Sequence, residues 1–191
     1  MTLASQPGNR DNVTAYTGDH PLDLKQWIRN VPDYPKPGIL FRDLTPLLAH
    51  PPAMRFAVDA LATHLRPMRL DAVCCIDSRG FLFGAPVDLA LGLPIIPLRK
   101  AGKLPPETVG ADYSLEYGTA RIEVRSDALR RGQRVAIIDD LLATGGTAAA
   151  AGRVVASLGA TVVTYAFVVE LTALGGRAAL RDAPVHSLVT Y

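Results

Sequence analysis

Four short stretches of the chain are almost continuously apolar: DAVCCID (71–77), PIIPLRK (94–100), RVAIIDD (134–140) and TVVTYAFVVEL (161–171). Runs of this length, apolar on both faces, predict strands buried inside a sheet. Between them the spacing becomes helical. Met54, Phe56, Ala57, Ala60, Leu61 and Leu65 recur at helical intervals after Pro52. FLFGAPVDLALGL follows the turn SRG, and GTAAAAGRVVASLG runs to Gly159, which is placed to stop it. TARIEVRSD alternates Ala120, Ile122 and Val124 against polar partners, the period of a half-exposed strand, and HSLVTY predicts a last short one.

The N-terminal part follows other rules. Residues 1–20 are polar and without apolar period, which predicts a mobile tail preceding one domain over 21–191. Leu24, Trp27 and Ile28 predict a short amphipathic helix around Leu22–Asn30. In VPDYPKPGILFRDLT the prolines at 32, 35 and 37 forbid a helix and predict a stiff loop leading to Ile39–Phe41. Residues 101–118 carry no long apolar stretch and predict an excursion outside the core.

Buried strands alternating with helices predict the α/β class, a central mainly parallel sheet with helices on both faces. In such sheets ligands bind at the carboxyl ends of the strands. Four strand ends carry chemistry: DSRG (77–80), RKAGK (99–103), DDLLATGGT (139–147) and VELT (169–172).

Composition narrows the function. A formal charge of +2 on 191 residues makes no electrostatic case for a general nucleic-acid binder. No apolar run approaches the ~20 residues of a membrane span, and the N-terminus lacks the pattern of a signal peptide. Cys74 and Cys75 are adjacent in a strand, so their side chains point to opposite faces; they read as core residues of a protein of the reducing cytosol. His20, His50, His64 and His186 form no spaced cluster, which gives no metal-ligand or triad pattern.

The most informative segment is VAIIDDLLATGGT. It lacks the Lys of a Walker A loop and the spacing of a dinucleotide fingerprint. Gly145 and Gly146 permit a tight turn whose N–H groups converge at the start of the Ala-rich helix, and Thr144 and Thr147 add hydroxyl donors. Asp139 and Asp140 can accept hydrogen bonds from vicinal hydroxyls. The same residues also suit an ordinary strand-to-helix crossing, with Thr as cap and Gly as turn.

VAIIDDLLATGGT resembles the 5-phosphoribosyl-1-pyrophosphate (PRPP) loop of type I phosphoribosyltransferases. PGILFRDLTPLL, DSRGFLFG, LRKAGKLP and YSLEYG resemble, in the same order, the adenine-using branch of that family, over residues 21–191. The resemblance implies a type I phosphoribosyltransferase fold with a small hood and a flexible catalytic loop. It implies transfer of phosphoribose from PRPP to adenine, giving AMP and pyrophosphate, with Mg²⁺ bound mainly through PRPP and no direct protein ligands. It further implies a homodimer in the cytoplasm, and no nucleic-acid or membrane partner.

Residue by residue, the resemblance assigns Asp139, Asp140, Ala143, Thr144, Gly145, Gly146 and Thr147 to the ribose and its phosphate. Asp77, Ser78, Arg79, Arg99, Lys100 and Lys103 go to pyrophosphate, with Arg79 also catalytic and the Asp77–Ser78 peptide expected to be cis. Leu40, Phe41, Arg42 and Leu171 go to adenine, and Glu116 handles the N7 proton. Read alone, Arg99 and Lys100 also suit a solvated strand end, Phe41 and Arg42 a core anchor with an ion pair, and Glu116 a solvated loop charge. Enzymes for 6-oxopurines resemble this loop but carry Asp where this chain has Ala143, which argues for adenine over another purine or a pyrimidine. A PRPP-sensing regulator on the same fold needs a DNA-reading module, and a 20-residue polar tail is too small for one.

Overall fold

The computed structural model describes residues 22–191 apart from 116 and 117, and divides the chain into two compact units, Met1–Met54 and Arg55–Tyr191. The predicted tail 1–20 lies outside the described residues.

In the first unit the helix expected around Leu22–Asn30 is a single 3-10 turn, Leu24–Trp27, capped by the Asp23 carboxylate, which accepts from the Lys25 N–H at 3.0 Å. Ile28 is already extended, and Arg29–Pro32 forms strand β1, paired antiparallel with β2 (Leu40–Asp43). Val31 precedes a proline, which disfavours the helical region there, so the apolar spacing never extends beyond one turn. The proline loop therefore connects a hairpin, with Tyr34–Pro35 in the cis form. Helix α1 (Thr45–Leu48) follows, and α2 (Pro51–Leu65), as the spacing from Met54 to Leu65 predicts, begins here and has most of its length in the second unit.

The second unit is built on β3 (Ala72–Ile76), α3 (Gly80–Leu91), β4 (Ile95–Lys100), β5 (Thr108–Leu115), β6 (Gly118–Arg125), β7 (Arg134–Leu142), α4 (Gly146–Ser157), β8 (Thr161–Glu170) and β9 (Val185–Thr190). Its sheet runs β5-β6-β4-β3-β7-β8-β9. From β4 to β9 every neighbouring pair is parallel, and the β5–β6 hairpin joins β4 antiparallel.

The excursion expected over 101–118 is thus only half correct, since Thr108–Leu115 is an edge strand with Tyr113 in the core. Val109, Ala111 and Tyr113 alternate with Gly110 and Asp112, a period of two diluted by glycine and charge. Pairing with β6 and the packing of α4 make it a strand.

Strand order puts helices on both faces. The β3–α3–β4 crossover moves one way along the sheet and β7–α4–β8 the other, so right-handed connections place α3 and α4 on opposite sides. The two cysteines register this division. Cys74 packs in the core beneath α4, while a Cβ added to Gly84 of α3 would collide with the Cys75 sulfur. Both thiols are free and buried, and burial raises the Cys74 thiol to about 12.

The strand order reverses between β3 and β7, and the parallel strands all end on the same side. That crevice is where open α/β sheets take ligands.

His64, near the end of α2, and His186, on β9, stack with ring centroids 3.6 Å apart. Burial lowers His64; burial, then His64 and Arg177, lower His186. The unfolded chain therefore takes up protons more readily, and the unfolding free energy falls as pH drops below about 6.5. We expect the urea midpoint to fall between pH 7.5 and 5.5 by more in the native chain than in the His64→Gln/His186→Gln double variant. Equal slopes in the two would remove the pair from the acid response.

Candidate active site

The site begins with the chain path at the ends of β3 and β7. After Ile76 the strand gives way to Asp77–Ser78, a cis peptide, and then to the first turn of α3. Gly80 opens that helix, and a Cβ there would stand 2.9 Å from the Asp139 Oδ1 and from the Ile138 carbonyl. The glycine lets the helix start close against β7. Arg79, at the N-cap of α3, directs its Nε to Asp140 Oδ2 at 2.6 Å.

Asp139 and Asp140 do not end β7, as the sequence suggested. The strand continues to Leu142, so both acids belong to the ladder, with Asp139 opposite Phe167 of β8. Asp140 is 3% exposed, and Asp139 Oδ1 accepts from the Asp140 N–H at 2.8 Å. Burial, reinforced by the charge of Asp140, pushes the Asp139 carboxyl well above its usual range. Burial also raises Asp140, against the opposing charge of Arg79. Hydroxyl donors would stabilise the charged form of both carboxyls without adding charge of their own.

Arg99 and Asp77 form the neighbouring pair. Arg99 Nε donates to Asp77 Oδ2 at 2.8 Å, and the Lys100 N–H reaches the same oxygen at 3.4 Å. Burial pushes Asp77 upward, but these hydrogen bonds and the charges of Arg99 and Lys100 prevail and hold it below its usual range. The guanidinium also lies over Phe81, 5.6 Å from the ring centroid. Arg99 is therefore a fixed cation at the strand end, whereas Lys100 and Lys103 are exposed.

Beyond Leu142 the loop 143–147 and the start of α4 enclose a cavity of about 90 Å³, lined by Asp139, Leu141–Ala148 and Phe167. That is the space of about three waters at ~30 Å³ each, enough for a phosphate group. The first N–H groups of an α-helix have no intrahelical acceptor, and here they face the loop. Gly145 is left-handed, with φ of +81°, and a Cβ on it would strike the Gly176 carbonyl. Gly176 is equally confined, since a Cβ there would strike the Ala143 carbonyl. The two backbones interlock, a relation no spacing in the sequence announces.

Asp77, Arg79, Arg99, Asp139, Asp140 and the loop 143–147 thus gather at one end of the parallel strands. Leu171 is tied there as well, its N–H donating to the Leu142 carbonyl at 2.9 Å. Leu40, Phe41 and Arg42 belong to the first unit, where Phe41 meets Tyr34 edge to face at 5.2 Å and Arg42 hydrogen-bonds Asn30. Glu116 lies outside the described residues. Missed by the sequence reading were Gly176 and the Glu170–Arg177 pair, 2.6 Å apart, which joins the end of β8 to the turn that supports the loop.

Comparison with known proteins agrees in fold and in sequence. The family model for the phosphoribosyl transferase domain matches residues 47–187. An adenine phosphoribosyltransferase of a Cyanothece species is 51% identical over 170 residues, covering 89% of this chain and all of that protein. The crystal structure of adenine phosphoribosyltransferase from Thermoanaerobacter pseudethanolicus superposes with a TM-score of 0.85 at 46% identity, over 88% of this chain and 98% of that one. The Saccharomyces cerevisiae adenine phosphoribosyltransferase, solved with an imino-altritol bisphosphate and adenine, gives 0.83 at 43% identity, over 86% of this chain and 96% of that one.

The interlocked glycines make a stability prediction. Gly145→Ala places a side chain in left-handed backbone and against the Gly176 carbonyl, and should cost about 1–3 kcal/mol. An unchanged urea midpoint would mean that the loop yields freely.

Proposed function

Because the chain belongs to the adenine phosphoribosyltransferase family, we infer that it transfers the 5-phosphoribosyl group of PRPP to N9 of adenine, giving AMP and pyrophosphate. The observation that carries this reading is the pairing of a buried carboxyl, Asp140, and its half-buried neighbour Asp139 with a phosphate-sized cavity at a helix N-terminus. Asp139 and Asp140 accept the ribose hydroxyls. Ala143–Thr147 hold the 5-phosphate by backbone N–H groups and the threonine hydroxyls.

N9 attacks C1′ as the bond from C1′ to pyrophosphate breaks, and positive charge develops on the ribose ring. The carboxylates of Asp139 and Asp140 oppose the charge. Arg79 and Arg99, each oriented by a carboxylate, together with the Ser78 peptide, Lys100 and Lys103, meet the negative charge growing on pyrophosphate. Family resemblance assigns Leu40, Phe41, Arg42 and Leu171 to adenine, and Glu116 to the N7 proton, so that the N9 lone pair is available. The methyl group of Ala143 offers no acid to a 6-oxo base.

Asp139 and Asp140 would offer hard carboxylate oxygens near a Mg²⁺ carried in by PRPP, and the ion would supply neutralisation of charge on the pyrophosphate.

The cytoplasmic reading draws on the two reduced cysteines, and no helix among the described residues is long and apolar enough to cross a membrane. A homodimer is supported by α3, where Leu82 and Leu89, two turns apart, are 46% and 82% exposed on one apolar stripe.

Pyrophosphate release measured with adenine, hypoxanthine, guanine and uracil in parallel tests the reaction: adenine alone should support turnover. Activity with hypoxanthine or uracil at the same rate would overturn the assignment of the base. In the same assay Glu116→Gln should lower turnover ~10²–10⁴-fold, with PRPP binding near that of the native chain. A native rate in that variant would return Glu116 to a solvated loop charge. For the assembly, Leu82→Glu/Leu89→Glu should halve the mass seen by light scattering. A native chain that is already monomeric would exclude the dimer.

A further inference from the structure

Glu170 closes β8 with its side chain 4% exposed, a position where an unpaired carboxylate costs several kcal/mol. Arg177 meets it with both arms of the guanidinium, Nε to Oε1 at 2.6 Å and Nη2 to Oε2 at 2.7 Å. Ser187 of β9 donates to Oε2 at 2.7 Å, and Arg177 Nη1 donates to the Val185 carbonyl at 2.8 Å. These bonds hold the Glu170 carboxyl below its usual range.

The geometry explains what the pair holds. Arg177 follows Gly176 directly, within the turn Gly175–Ala179. The backbone hydrogen bonds of that turn are local, Gly175 N–H to Thr172, Ala178 N–H to Gly175 and Leu180 N–H to Arg177. The Arg177 side chain ties it to β8 and β9, and Thr172, just before it, donates its N–H and its hydroxyl to the Tyr191 carbonyl. Gly176 meanwhile presses on Ala143 and Gly145 so closely that no Cβ fits on either glycine. A shift of the turn would open the space that keeps Gly145 in its left-handed form, and the loop N–H groups would cease to converge.

We propose that Glu170 and Arg177 are positioning residues for the 5-phosphate: the ion pair fixes the turn 175–179, and the turn fixes the loop 143–147 from behind. Neither side chain touches the sugar or the base. Net stabilisation is a poor reason for such a pair, because apolar side chains of similar volume often do as well. A bidentate fork is, however, more exacting in direction than apolar packing. The proposal rests on the reading of 143–147 as the phosphate cradle.

The test compares two ligands that differ only in the 5-phosphate. Dissociation constants of AMP and adenosine are measured by calorimetry for the native chain, Arg177→Lys, Glu170→Gln and Ser187→Ala, well below the melting temperature of each. Arg177→Lys and Glu170→Gln should weaken AMP about 3- to 30-fold while adenosine changes less than twofold, the size expected of coupling through a packed neighbour. Ser187→Ala, which removes one bond and leaves the ion pair, should move AMP in the same direction by less, and it remains informative if a charge variant does not fold. The double variant should be no worse than the weaker-binding single one, because both act through one contact. A lower melting temperature with an unchanged AMP-to-adenosine ratio would overturn the proposal and leave the pair a structural bridge. A native chain that binds adenosine as tightly as AMP would instead overturn the cradle reading itself, and this proposal with it.

Discussion

Asp139 and Asp140 are carboxylic acids built into a central strand, and the surrounding architecture answers the cost of putting them there. A buried carboxyl either finds cations and hydrogen-bond donors or takes up a proton. Arg79 arrives from the first turn of α3 to meet Asp140, which is possible because Gly80 lets that helix start hard against β7. The acids thus bind α3 to the sheet and leave carboxylate oxygens at the strand end, which the proposed function gives to the ribose hydroxyls.

The same end of the sheet separates its charges. Asp77 is held ionised by Arg99 and Lys100 on the β4 side, while Asp139 and Asp140 are pushed toward protonation on the β7 side. Under the proposed function these two carboxylate neighbourhoods, with opposite tendencies, take two jobs: cations oriented for a leaving group, and oxygens for a sugar. Both follow from the strand order, because β3 and β7 diverge at this point and leave room between their connections.

Beyond β7 the loop depends on backbone fit. Gly145 and Gly176 approach so closely that the loop has little freedom while the turn behind it stays in place. A preformed set of N–H donors binds an anion without paying ordering entropy at the moment of binding.

Much of this was legible in one dimension. Strand β7, the loop and α4 follow one another in the chain, and their apolar runs, glycines and helical spacing are local properties carried by neighbouring residues. The ends of β3, β4, β7 and β8 could be marked as the chemical face for the same reason. Where local signals were weak the reading failed: the alternating apolar residues of β5 are diluted by glycine and charge, and the apolar spacing around Trp27 ran into a proline-restricted strand. Tertiary structure alone decided which distant residues meet. The His64–His186 stack, the Glu170–Arg177–Ser187 network and the locking of Gly145 by Gly176 depend on strand order, register and helix placement. Periodicity reports which face of an element is buried; it carries no record of the neighbour that buries it, because that neighbour is chosen by the packing of the whole sheet.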